Sequence, residues 1–117
     1  MPPTKTNLSD AAAGLPEHWS PRVLGDVSGH EVKVSKLLGE FVWHHHDDAD
    51  EMFLVLRGEL LLKFRDGDVT LSPGEMLIVP AGVDHLPVAE EEVVTLVFEK
   101  AGVDKLGDKA GSVPRFA

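Results

Sequence analysis

The sequence predicts an all-β domain, a small barrel or sandwich preceded by a short irregular arm. Three observations carry this. From Glu31 onward, segments of four to eight residues rich in Val, Leu, Ile and Phe recur. Turn-forming residues stand between them, at Arg57-Gly58-Glu59, Asp66-Gly67, Ser72-Pro73-Gly74 and Pro80-Ala81-Gly82. No long stretch carries apolar residues at helical spacing. Many short strands at regular intervals, each with a face to bury, pack as a sandwich or close into a barrel.

Residues 1–30 make the arm and a first edge segment. Pro2, Pro3, Gly14, Pro16 and Pro21 interrupt any long helix, but Ser9-Asp10-Ala11-Ala12-Ala13 has room for one or two turns. Ser9 is the expected cap and Gly14 the expected stop. Trp19 is expected to anchor the arm on the body. The barrel follows over 31–100, with strands near 31–37, 40–46, 51–57, 59–65, 68–71, 76–80, 85–89 and 93–99. Asp66-Gly67 suits a tight hairpin. The Gly-, Asp- and Lys-rich stretch 101–117 is expected to be a loose tail.

Alternation along the strands assigns faces. Glu51, Phe53 and Val55 share one face of their strand, and Met52, Leu54 and Leu56 the other, so this strand is apolar on both sides. Leu60, Leu62 and Phe64 alternate with Leu61, Lys63 and Arg65, which sends the charged set outward. The same counting puts Phe41 and Trp43 outside with His45. An outer apolar set of Phe41, Trp43, Met52, Leu54 and Leu56 needs cover, from the arm or from a second subunit.

Composition excludes several function classes. A chain of 117 residues suits one compact domain. Eleven basic and twenty acidic residues give a formal net charge of -9, which disfavours nucleic acid and anionic membrane as partners. Cysteine is absent, so disulfides, thiolate metal ligands and cysteine nucleophiles are excluded. Residues 1–8 lack the apolar core of a signal peptide, and no apolar run approaches the ~18 residues that span a bilayer. The expectation is a soluble, cytoplasmic protein. No Ser-His-Asp arrangement, phosphate-cradling glycine loop or nucleotide fingerprint is present.

Histidine is where the chemistry concentrates. Of six histidines, three are consecutive: His44, His45 and His46. On an extended chain His44 and His46 share a face, ~7 Å apart, and His45 points the other way. Glu51 follows the acidic turn Asp47 to Asp50, and a hairpin-like return brings its carboxylate beside the pair. His85 comes just after the turn at Ala81-Gly82. Three neutral imidazoles and a carboxylate suit one divalent transition metal, whether Fe, Mn, Ni, Co, Cu or Zn. Four protein ligands on an octahedral ion leave two open positions for substrate or O₂. Against this, an Asp47 to Asp50 run is most simply a solvated loop, and single histidines are most simply turn residues.

The spacing of the parts together resembles the cupin family. Its first motif has His-x-His, three or four residues, Glu, six residues and Gly; here His44-His45-His46 is followed after four residues by Glu51 and after six more by Gly58. Its second motif has Gly, five residues, Pro-x-Gly, two residues, His, three residues and Asn; here Gly74, Pro80-Ala81-Gly82 and His85 match, with Ala89 in place of the Asn. The opening Gly of the first motif stands five residues before the first His in the family, whereas Gly39 leaves a gap of four. Neither departure touches a ligand. The resemblance implies a jelly-roll barrel (a double-stranded β-helix), one divalent metal on His44, His46, Glu51 and His85, and a homodimer.

The stretch Gly39 to His44 also looks like small single-domain cupins similar to mannose-6-phosphate isomerase. Fold likeness does not carry that activity. Lys63 and Arg65 face outward and Arg57 lies far along its strand, so a phosphate finds no evident partner; the facing of Lys33 and Lys36 is open. The expected pocket is apolar, with Phe53, Leu62 and Phe64 near a small-molecule ligand. The leading reading is metal-dependent, oxygenase-like chemistry on a small organic molecule; the alternatives are a non-catalytic ligand- or metal-binding module and a barrel with a vestigial site.

Overall fold

The computed structural model describes residues 2–103. One short helix, α1 (Leu8–Ala13), precedes seven strands: β1 (Arg22–Val27), β2 (His30–Glu40), β3 (Glu51–Arg57), β4 (Leu60–Phe64), β5 (Gly67–Leu71), β6 (Met76–Val79) and β7 (His85–Lys100). Every pairing is antiparallel, in the order β1-β2-β7-β3-β6, with β4 joined to both β5 and β7. This is the all-β jelly-roll architecture that the sequence predicts. Most of the expected tail lies outside the described residues. Among those described, no helix is long and apolar enough to cross a membrane.

The strand β7 organises the barrel. Two expected strands, 85–89 and 93–99, are one continuous element here. Its first part, His85 to Val88, pairs with Phe64 to Leu61 of β4. On its other edge β2 runs along both parts, from Glu40–Val88 to His30–Lys100, and β3 pairs with the second part. The exposed run Glu90-Glu91-Glu92 separates the two ladders without breaking the strand. Gly58 packs against this junction with φ +82°, and a Cβ there would lie 2.7 Å from the Glu92 carbonyl oxygen, so no side chain fits.

Three other expectations shift. The strand expected at 40–46 does not form: β2 continues to Glu40, and beyond it only an isolated bridge, His44 to His85, remains. Its register shifts between Leu37 and Gly39, where Gly39 has φ +88° and turns the chain toward the barrel mouth. Asn7 rather than Ser9 caps α1, its Oδ1 accepting from the Asp10 N–H at 3.0 Å; Asn caps as well as Ser, and the earlier start leaves Ser9 inside the helix. The β4–β5 turn is Arg65-Asp66, with Gly67 already paired to Phe64.

Two faces are corrected as a result. Phe41 is buried inside, stacked on Trp19 with centroids 4.7 Å apart and planes at 19°. Its segment is not a strand, so alternation does not govern it. Trp43 is half-buried with the Arg65 guanidinium 3.8 Å above its ring. The arm supplies part of the predicted cover: Ala11, Ala12 and Leu15 pack on Val34 and Val94, with Leu56 against the same cluster. Trp19 anchors the arm, its backbone N–H donating to Lys36 O and its indole N–H to Leu38 O, both at 2.8 Å. The main core fills the interior of the barrel, around Phe53, Val55, Leu60, Leu62, Val93 and Val97.

Candidate metal centre

His44 and His85 are held face to face by the backbone. The His44 N–H donates to His85 O at 3.1 Å, and the His85 N–H to His44 O at 2.9 Å. Each ring then turns back on its own chain: Nδ1 of His44 lies 2.9 Å from Val42 O, and Nδ1 of His85 lies 2.9 Å from Val83 O. A carbonyl only accepts, so in both rings Nδ1 carries a proton, and Nε2 is the nitrogen turned toward the cluster. The turn at Ala81-Gly82 is tied to the first histidine segment, with the Gly82 N–H donating to His46 O at 2.8 Å and the Ala81 N–H to Asp50 at 2.9 Å.

Glu51 opens β3 and points the same way as Phe53 and Val55, as alternation predicts. Its Oε1 lies 3.3 Å from His85 Nε2 and 3.6 Å from His46 Nε2. One ligand-type atom from each of His44, His46, Glu51 and His85 falls within 4.8 Å of the others, and all four residues are buried. An ion with bonds of ~2.1 Å draws its ligand atoms to within roughly 4 Å of one another. The donor set therefore fits a single borderline metal with small side-chain adjustments.

The electrostatics agree with ligand roles. Burial, reinforced by the neighbouring His85, lowers His44 to about 4, so its imidazole is neutral at physiological pH. Burial alone would raise Glu51, but hydrogen bonds and charge from His46 and His85 outweigh it and hold the carboxyl at about 2. His44 thus offers a neutral nitrogen and Glu51 an ionised oxygen, the forms that bind metal.

His45 faces outward, as predicted, and is engaged there: Nδ1 lies 2.9 Å from Asp84 Oδ1 and Nε2 3.1 Å from Asp47 Oδ1. Asp84 also accepts from Arg65 Nε at 3.3 Å. The acidic turn is a solvated loop, with Asp48 paired to Lys100 at 3.0 Å.

A cavity opens beside the centre, with His44 and Glu51 at one end. Its apolar wall includes Trp19, Phe41, Phe53 and Val97, and its polar wall Lys33, Ser35 and Thr95. Of the expected pocket residues, Phe53 lines this cavity, Leu62 is fully buried in the core, and Phe64 is half-buried against that core. Lys33 points inward, and its ammonium lies 2.9 Å from Glu99 and 3.7 Å from Glu31. Burial and the nearby Glu51 charge raise Glu99 to about 7, against the pull of Lys33. Sequence reasoning missed Lys33, Ser35 and Thr95. On β2 the usual pattern is inverted: Val34 is covered from outside by the arm, while Lys33 and Ser35 face the interior. The only available signal was that this strand is too evenly mixed to be a simple half-buried one.

Comparisons with known proteins agree with this geometry. Residues 31–99 match the model of the family described as "Cupin domain". The uncharacterised protein YdbB of Bacillus subtilis is 35% identical over 94 residues, covering 80% of this chain and 83% of that protein. A crystal structure of a cupin-2 domain protein from Shewanella frigidimarina superposes with a TM-score of 0.79 at 43% identity, covering 81% of this chain and 93% of that one. A 3-hydroxyanthranilate 3,4-dioxygenase of Danio rerio is 32% identical over 69 residues, which are 56% of this chain but only 24% of that enzyme. The chain belongs to the cupin domain family.

Proposed function

We propose that the protein holds one divalent transition metal through His44, His46, Glu51 and His85, and acts on a small organic molecule in the adjoining cavity. The observation that carries this reading is that His44 and Glu51 belong both to the buried ligand cluster and to the cavity wall. When bound, the metal supplies positive charge and open coordination positions for substrate or O₂. The chain's residues do the rest. The Nδ1 hydrogen bonds of His44 and His85 orient the two rings, Glu51 contributes the negative charge, and Trp19, Phe41 and Phe53 hold an apolar body and keep water out. Oxygen-dependent oxidation suits such a site, and the partial likeness to 3-hydroxyanthranilate dioxygenases supports an aromatic substrate. Oxygen uptake by the iron-loaded protein with a panel of hydroxylated aromatics tests this; no uptake above a metal-free control with any of them removes the oxygenase reading.

A second reading, a non-catalytic binding module, is favoured by one observation. Apart from His44 and Glu51, the cavity wall carries no histidine or carboxylate, and its Lys33 is engaged by Glu99. Ligand binding without turnover would select it. The same pairing argues against isomerisation of mannose 6-phosphate. A dianionic phosphate needs cationic forks, and the cavity wall has the single cation Lys33, already in contact with Glu99. Turnover of mannose 6-phosphate at ~1 per second or more, with any of Fe, Mn, Co, Ni or Zn, would contradict this.

We also infer a homodimer. With Phe41 inside and Trp43 covered, the outer apolar face consists of half-buried Met52 and Leu54 with exposed Met76 and Ile78 on the edge strand β6.

A further inference from the structure

The end of the cavity remote from the ligand cluster carries a polar pair that the fold itself does not use. Ser35 on β2 and Thr95 on β7 are register partners, both buried and both on the cavity wall. Cross-strand hydroxyl pairs ordinarily bond each other. Here Thr95 Oγ1 is inaccessible to solvent and has no hydrogen-bond partner. Val55, its partner on the other side, is apolar and fully buried. A buried hydroxyl without a partner is unfavourable to the empty protein, and Thr95 borders the cavity.

We propose that the Ser35–Thr95 pair is the polar anchor of the cavity, taking an uncharged oxygen, such as a hydroxyl, of a small aromatic molecule. The ring lies among Trp19, Phe41 and Phe53. An uncharged group is specified because the one cation on the cavity wall, Lys33, is already held in contacts of 2.9 Å with Glu99 and 3.7 Å with Glu31. Polarity then stands at both ends of an apolar slot, the ligand cluster at one and the hydroxyl pair at the other. This deepens the reading of the cavity as a small-molecule site and names the group that orients the molecule.

The test uses phenol and toluene, which differ by hydroxyl against methyl, with the chelator-treated protein. Without metal, any preference for phenol reads the hydroxyl pair and not the metal, and metal content is measured separately. Wild-type protein is expected to bind phenol about tenfold tighter than toluene, since a site built to bond a hydroxyl rejects the analogue lacking it. The isosteric Thr95→Val variant is expected to lose that preference while keeping its toluene affinity, and Thr95→Ser to restore it. Equal binding of the two probes to wild type, absence of phenol binding at millimolar concentration, or a preference that survives in Thr95→Val would each overturn the proposal. Should Thr95→Val not fold, the Thr95 methyl resonance of the wild type decides: phenol must shift it, and a shift confined to methyls away from β2 and β7 counts against the anchor.

Discussion

His45 and Asp84 meet at 2.9 Å on the outside of the barrel, and each is the chain neighbour of a ligand-type histidine within. His45 sits between His44 and His46, and Asp84 directly precedes His85. The hydrogen bond therefore clamps together two segments far apart in sequence, next to the backbone bridge that joins His44 to His85. Residues that orient ligands from behind typically contribute 10–100-fold in metal affinity. His45→Ala and Asp84→Ala are each expected to weaken metal binding by about tenfold while leaving the far-ultraviolet dichroism unchanged. Chelator competition measures it; affinities equal to wild type would show that the backbone bridge alone sets the geometry.

Metal content follows from the four-residue cluster. Protein isolated without chelator is expected to carry one divalent transition ion per chain. The His44→Ala/His46→Ala double variant, with half the ligand set gone, is expected to lose more than ~100-fold in affinity, beyond what loss of a supporting residue costs. Plasma emission spectrometry gives the stoichiometry, and undiminished metal in the double variant would place the ion elsewhere.

The metal-free protein should lose stability on mild acidification. His44 is held at about 4 against an ordinary 6.5. Between these values the unfolded chain binds a proton that the folded chain refuses, so stability falls as pH drops from 6.5 toward 4, by at most ~3 kcal/mol for this residue. Glu99, raised to about 7, acts oppositely: its folded form keeps a proton that the unfolded chain releases, so its contribution declines as pH rises from 4.5 to 7. The two partly cancel. Replacing His44 by Gln should expose the Glu99 trend, with urea midpoints that no longer fall between pH 6.5 and 4. If the midpoints of wild type and variant run parallel, His44 is not the controlling group.

Light scattering at micromolar concentration is expected to give about twice the chain mass of 12.7 kDa. Ile78→Lys, on the exposed face of β6, is expected to shift the protein toward monomer, since a charge in the centre of an apolar contact is poorly tolerated. A monomeric wild type would mean that β6 edges are kept apart by other means.

Much of the candidate cluster was legible because residue type and spacing come together in it. His44, His46 and Glu51 follow from a short extended run and a turn, and His85 from the second motif, which the fold brings back to them by the His44–His85 bridge. The fold class was legible from strand length and turn residues. What escaped was non-local. Glu90-Glu91-Glu92 has the composition of a loop, yet the strand runs through it because two different partners hold its two halves. Alternation misplaces Phe41 because its segment has no continuous ladder. Lys33 and Thr95 face inward because the arm buries the opposite side of their sheet, a contact between residues far apart in the chain.

The length of β7 has a consequence for how the protein is made. Strands β2, β3 and β4 all take their pairing partners from residues 85–100. Leading from the ribosome, these earlier strands can form hairpins only with β1, β5 or β6. They must wait, with their apolar faces uncovered, until the sixteen residues of β7 arrive. Such dependence on distant pairing slows folding and prolongs exposure to aggregation. His85 lies at the start of the same strand, so the last ligand arrives with the element that closes the barrel. On the proposed metal role, capture of an ion during synthesis would await completion of the fold, because a nascent chain stalled before residue 85 presents only three of the four residues of the cluster.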